Sequence, residues 1–175
     1  MIVMVALGVG VFVGFNIEGN SIGENTQSYF EQTDFADYRI YSEGGFSSED
    51  VDKVKAIAGV DGATRWLAVG ADVKNTGKSL ALNVVENYGI SSFLVIDGEG
   101  YDKDSDGMWF SDQFAEKNGI SVGDFLTLSY KNAEIGARVV GLVKASEYMV
   151  CVADDNQIMP DYSSYGYAFV SPEAM

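Results

Sequence analysis

Residues 1–15, MIVMVALGVGVFVGF, carry no charged side chain. Nothing else in the sequence limits its fold as strongly. At a helical rise of about 1.5 Å per residue, fifteen residues fall short of a bilayer core, which takes about twenty. A secretory signal needs a basic flank before its apolar core and a small-residue cleavage site after it. Nothing precedes this run, and Asn16-Ile17-Glu18 follows it. Three readings stay open: the last part of a transmembrane helix, an atypical signal peptide, or a buried core helix. Gly10 and Gly14 stand four apart on one helix face, with Gly8 nearby, and small residues at that spacing let membrane helices pack closely. They favour the transmembrane reading, since glycine in a soluble helix only costs stability. The polar stretch from Asn16 to Thr33 has no proline and can extend the helix as a stalk, which Gly19 and Gly23 weaken.

Charge narrows the function classes. The 175 residues hold 26 Asp and Glu against 11 Lys and Arg, a formal net charge of −15, which disfavours binding to a phosphate backbone. There is no histidine, so Ser-His-Asp triads, Cys-His pairs and His-ligated metals are excluded. A single cysteine, Cys151, excludes an internal disulfide. It reads as a buried free thiol, the alternative being a lipidation or redox site. A hydrophobic share of 47% separates the chain from acidic disordered tails. The first basic residue is Arg39, and basic residues beside a membrane helix favour the cytoplasmic side, so residues 16 onward are expected outside.

The body alternates short strands with two capped helices. Residues 37–42 (DYRIYS) read as a strand by alternation. Ser47-Ser48-Glu49-Asp50 opens a helix with an apolar face of Val51, Val54 and Ile57, stopped at Gly59. Residues 64–73 and 79–86 read as a hairpin around Asn75-Thr76-Gly77-Lys78. A second block begins near Ser92. In it Met108-Trp109-Phe110 reads as a strand, and Ser111-Asp112 caps a helix that ends at Asn118-Gly119. Residues 125–130, 137–144 and 167–170 are further strands, and Pro172 opens a helix. The expected fold is α+β: a transmembrane helix (1–15) and stalk (16–35), then a mixed-sheet domain (36–175). That domain is expected to hold a lobe at 36–91 and a small β-rich lobe at 92–150, with 151–175 returning to the first.

Four local features invite a functional reading. Asp102, Asp104 and Asp106 with Gly107 match the start of an EF-hand loop, whose alternate carboxylates face one calcium ion. Position 12 is Gln113 instead of glutamate and flanking helices are not evident, which favours a solvated acidic turn. Asp124 follows Gly123 before a strand, and reads as a turn residue in preference to a general acid. Nothing fixes two carboxylates on facing strands, so a hydrolase is the least favoured class. Tyr148, Tyr162, Tyr165 and Tyr167 read either as a contact surface or as a loop packed on the core.

The order of these motifs resembles the extracytoplasmic domain of an ABC transporter permease of the FtsX/MacB-like type. ALGVGVFVGF (6–15) is similar to the outer end of the first transmembrane helix. SYFEQTDFADYRIYSEGGFSSEDVDKVKAIAGVDGA (28–63) is similar to the family's entry into its periplasmic core domain. MWFSDQFAEKNGISVGDFLTLSY (108–130), RVVGLVKASEYM (138–149) and YGYAFVSPEAM (165–175) resemble later blocks in the family's order. The resemblance implies a non-catalytic, membrane-bound permease region with no cofactor of its own. It implies partnership with a separate ABC ATPase, since the chain lacks a G-x-x-x-x-G-K-[ST] phosphate loop. A second permease copy and a lipoprotein, peptide, toxin or envelope-protein substrate are further implied. It also makes Gly19 and Gly23 candidate hinges. The alternative is a membrane-anchored extracellular binding module, with calcium as its conceivable ligand.

Overall fold

The computed structural model describes residues 2–154 and 156–174. One helix, α1, runs unbroken over Ile2–Gln32. Neither Gly19 nor Gly23 interrupts it, so the polar stalk continues the apolar run. From Met4 to Gln32 it is long and apolar enough to cross a membrane, and its most apolar window is wholly uncovered by the rest of the chain.

The rest is a mixed sheet with small helices: α2 (Ser48–Lys55), β1 (Trp66–Val73), β2 (Lys78–Val85), β3 (Phe93–Gly98), β4 (Met108–Ser111), α3 (Asp112–Asn118), β5 (Phe125–Tyr130), β6 (Ala133–Ala145) and β7 (Tyr165–Val170). Seven strands run in the order β3-β6-β4-β7-β2-β1-β5, and β5 also pairs with β6. That second pairing closes six strands into a barrel-like ring, with β3 laid against the outer half of β6. The pairs β2–β7 and β4–β6 are parallel, and the others are antiparallel. The expected return of 151–175 is the β2–β7 ladder, in which Ser79 faces Tyr165 and Val84 faces Val170. Strands from both sides of residue 92 enter one sheet, so the two expected lobes share it.

Period-two alternation sorts the apolar side chains onto two faces. Leu80, Leu82, Met108, Phe110, Phe114, Leu128, Val139 and Val170 pack together on one face. Phe93, Trp109, Val143, Tyr167 and Phe169 pack on the other. Two glycines permit the closest approaches. A Cβ on Gly166 would stand 2.5 Å from the Phe114 ring, and one on Gly141 would stand 2.7 Å from Trp109.

Local signals account for most elements. Ser47 and Asp50 form a reciprocal capping box on α2. Ser111 caps α3, and Gly119 ends it in the left-handed conformation with φ 64°. Asn75 and Gly77, at φ 65° and 69°, turn the hairpin. Two expectations need correction. Residues 37–42 form no strand, because a strand exists only as part of a ladder and no backbone of the described residues pairs with 37–41. Of the expected α2 face, Val51 and Val54 are half-buried on the helix, but Ile57 lies beyond its last turn. Strand β3 was not assigned from the sequence, although Phe93-Leu94-Val95-Ile96 is an apolar run.

Candidate functional site: the joint between helix and barrel

The end of α1 is tied down by short, specific contacts. The Thr33 hydroxyl donates to the Tyr29 carbonyl at 2.8 Å, which caps the last turn. Asp34 takes φ 47°, and the chain doubles back so that the Phe35 N–H donates to the Phe30 carbonyl. The Phe30 and Phe35 rings then stack, with centroids 4.5 Å apart. Thr33 is fully buried.

The entry to β3 grips this turn. The Ser92 N–H and hydroxyl both donate to the Thr33 carbonyl, at 2.7 and 3.0 Å. The Ser91 N–H donates to the Asp34 carbonyl at 2.8 Å, and the Ala36 N–H donates to the Ser91 hydroxyl at 3.1 Å. Beyond the joint, the Arg39 guanidinium pairs with Glu147 and lies 5.2 Å from the centroid of the Trp66 ring. Helix, β1 entry and the end of β6 are thus connected within a few residues.

Asp112 opens α3 beside the end of β6. One of its carboxylate oxygens lies 3.3 Å from Lys144 Nζ, while the other, Oδ1, is buried without a hydrogen-bond partner. The Ser146 hydroxyl is a second buried orphan.

The tyrosines divide. Tyr148 and Tyr167 stack at 4.5 Å and belong to the core. The Tyr148 hydroxyl and the Trp66 indole N–H both donate to Asn83 Oδ1, at 2.8 and 2.9 Å. The Asn83 amide in turn donates to the carbonyls of Ala81 and Ala168. Burial pushes the Tyr148 phenol up to about 12, and raises Tyr167 further. Tyr162 and Tyr165 pack at the edge of the same cluster. The loop-on-core reading therefore describes this group. Asn83 is the residue that organises it, and sequence reasoning missed it, although an Asn amid the apolar run Leu80 to Val85 was a signal. Cys151 is buried, and burial raises its thiol to about 11.

The remaining candidates fall elsewhere. Gly10, Gly14, Gly19 and Gly23 all lie on α1, where a Cβ would meet no atom within 4 Å. Asp102 Oδ1 accepts from the Asp104 N–H at 3.0 Å, and Asp104 pairs with Lys103 at 2.7 Å. Among the described residues no group of three acids or cysteines is placed to hold a metal ion. Asp124 Oδ2 accepts from the Ser121 N–H at 2.8 Å, next to Gly123 at φ 99°, which is turn chemistry.

No protein-family model matches the chain, and no curated protein does. Among solved structures, the chain is similar to the extracellular domain of the noncanonic ABC-type transporter YknZ from Gram-positive bacteria, at 16% identity and a TM-score of 0.48. The match covers 74% of this chain and 64% of that one, so the chain spans less than two thirds of that domain.

Proposed function

We propose that the chain is the extracytoplasmic region, together with membrane-helix residues 1–15, of an FtsX/MacB-like ABC transporter permease subunit. It has no catalysis of its own. Cytoplasmic ATP hydrolysis on a partner ATPase tilts or rotates the membrane helix, and the barrel converts that motion into export or handling of a lipoprotein, peptide or toxin. Residues 1–15 sit in the membrane, 16–35 form the stalk and 36–175 lie outside. Gly10 and Gly14 face a neighbouring membrane helix, which includes that of a second permease copy.

The observation that carries this reading is the unbroken helix ending in a hydrogen-bonded joint. A mechanical relay needs a continuous input and a firm attachment, and the unbroken α1 with the bonds of Thr33, Ser91 and Ser92 supports both. The order of sequence motifs supports the same reading. Gly19 and Gly23 are the hinge points, since glycine accepts backbone change at little steric cost.

The test uses the full transporter in membranes with Gly19→Ala and Gly23→Ala together. ATP hydrolysis is expected to persist while substrate movement drops. If both are unchanged, the hinge assignment fails. If the full-length protein co-purifies with no ATPase, the permease reading fails and the anchored binding module replaces it.

A further inference from the structure

We infer that the cavity between the β1–β2 turn, α3 and β5 binds the C-terminal residue of an extended peptide, Lys78 pairing with its carboxylate. The inference stands on the barrel alone and goes beyond the coupling reading, since neither the membrane helix nor an ATPase enters it.

The cavity holds about 290 Å³ and lies at the end of β1 away from Trp66 and the joint. Val73, Phe114, Ile120 and Leu126 give it an apolar lining. Ligand sites run from about 300 to 1,000 Å³, so this one has room for a single large apolar side chain and little more.

Two polar features say what that side chain is attached to. The first is a cation. The Lys78 ammonium donates to Asn118 Oδ1. Asn118 is itself fixed, because its amide donates to the carbonyls of Phe114 and Tyr162 at 2.8 and 3.1 Å. Lys78 is thereby moored to a neutral group. Among the described residues it has no carboxylate partner, in a chain with 26 acids. An ammonium has three donors, so others remain for an anion. Asp124 also lines the cavity, but it is exposed and its Oδ2 accepts from the Ser121 N–H. A half-buried cation without a counter-charge selects an anionic group.

The second feature is a gap in the sheet. The Val139 N–H donates to the Asp124 carbonyl, so Asp124, Leu126 and Leu128 turn their backbone groups to β6. The alternate residues turn theirs to β1, and the Thr127 carbonyl accepts from the Lys74 N–H at 2.9 Å. Past Lys74 the hairpin curls away, the Thr76 N–H donating to the Val73 carbonyl. Phe125 therefore presents its N–H and C=O to the gap with no ladder partner. Gly123, beyond it, spends its N–H on the Val139 carbonyl. The open edge is one residue long. A strand running through would need a longer edge, whereas the last residue of an extended chain fits this one. Such a residue reaches Phe125 with its backbone, the apolar lining with its side chain and Lys78 with its carboxylate.

The test uses the 1–175 chain in lipid nanodiscs. The probes are fluorescein-labelled peptides Gly-Ser-Thr-Ser-X, with X as Val, Leu, Ile or Phe and the C-terminus either a free acid or an amide. Fluorescence anisotropy reads binding. At least one free acid is expected to bind saturably, and its amide about tenfold or more weaker, from loss of a charge-assisted hydrogen bond. Lys78→Met should bring the free acid down to the level of its amide and leave the amide unchanged. Asp124→Asn should bind the free acid at least as tightly as the parent does. Phe125→Pro deletes an N–H on an open edge, where proline is tolerated, and should bind about fivefold or more weaker than Phe125→Ala. Acetyl-leucine should displace the bound peptide. If decanoate displaces it at a lower concentration, the cavity takes a fatty acid and the peptide assignment falls. Equal binding of acid and amide to the parent, undiminished binding in Lys78→Met, or failure of every free acid to bind would also overturn it, and none of these outcomes touches the permease reading.

Discussion

The helix and the barrel solve opposite problems. Along α1, Met4, Leu7, Phe12, Phe15 and Ile22 are all exposed, and the most apolar window has no protein over it. In the barrel, Trp109, Phe110, Phe114 and Phe169 are fully buried within one chain. Both regions are apolar, but only the barrel has the sequence period that lets it cover itself. An apolar surface on all sides of a helix can be buried only by something outside it, such as lipid or other helices. The difference teaches that stability of this chain resides in the sheet, while α1 takes its environment from elsewhere.

The sharpest way to break the comparison is Trp109→Ala. The side chain is fully buried, and its indole N–H donates to the Glu99 carbonyl at 2.9 Å. The loss should reach about 3–5 kcal/mol, read as a large fall in the barrel's melting temperature. Asn83→Ala comes next. It strands Tyr148, Trp66 and Ala168, and should cost about 2–4 kcal/mol for groups left unpaired.

The tyrosines give a smaller, pH-dependent effect. Tyr148 is raised by burial from 10.0 to about 12, so the folded state keeps a proton that the unfolded chain releases. Its contribution is fully present below pH 10 and is lost as pH rises towards 12. Chemical denaturation across that window should show falling stability, and Tyr148→Phe should flatten the fall. The smallest change is expected from deleting residues 1–30. The barrel should stay folded by circular dichroism, and its melting temperature should move little. A cooperative loss of the sheet in that deletion would show that α1 belongs to the core.

What the sequence reveals follows from the range of each interaction. The hairpin at Asn75-Thr76-Gly77, the caps at Ser47 and Ser111 and the stop at Gly119 all depend on residues within a few positions. Each was readable. The joint was not, because Ser92 meets the Thr33 carbonyl across 59 residues and neither serine carries a local signature. The segment at 37–42 shows the converse: Tyr38, Ile40 and Tyr41 have strand character, but propensity cannot supply a partner strand. Of the candidate site, the glycines of α1 and the acidic turn were visible as motifs. Asp112 was visible only as a helix-capping neighbour, since its unpaired oxygen emerges from the packing of β4 beside β6.

The parallel ladder between β2 and β7 also sets an order of events during synthesis. Asn83 emerges long before its acceptor on Ala168, which follows 85 residues later. Until β7 arrives, β2 has only β1 beside it, and the two clusters, one of which needs Val170 and the other Phe169, cannot close. Pairings this distant in sequence form slowly, and they leave apolar strands open while the chain grows. By then α1 has long been available to its surroundings. On the proposed membrane reading, the helix finds its place first, and the barrel is assembled on an end that is already tethered.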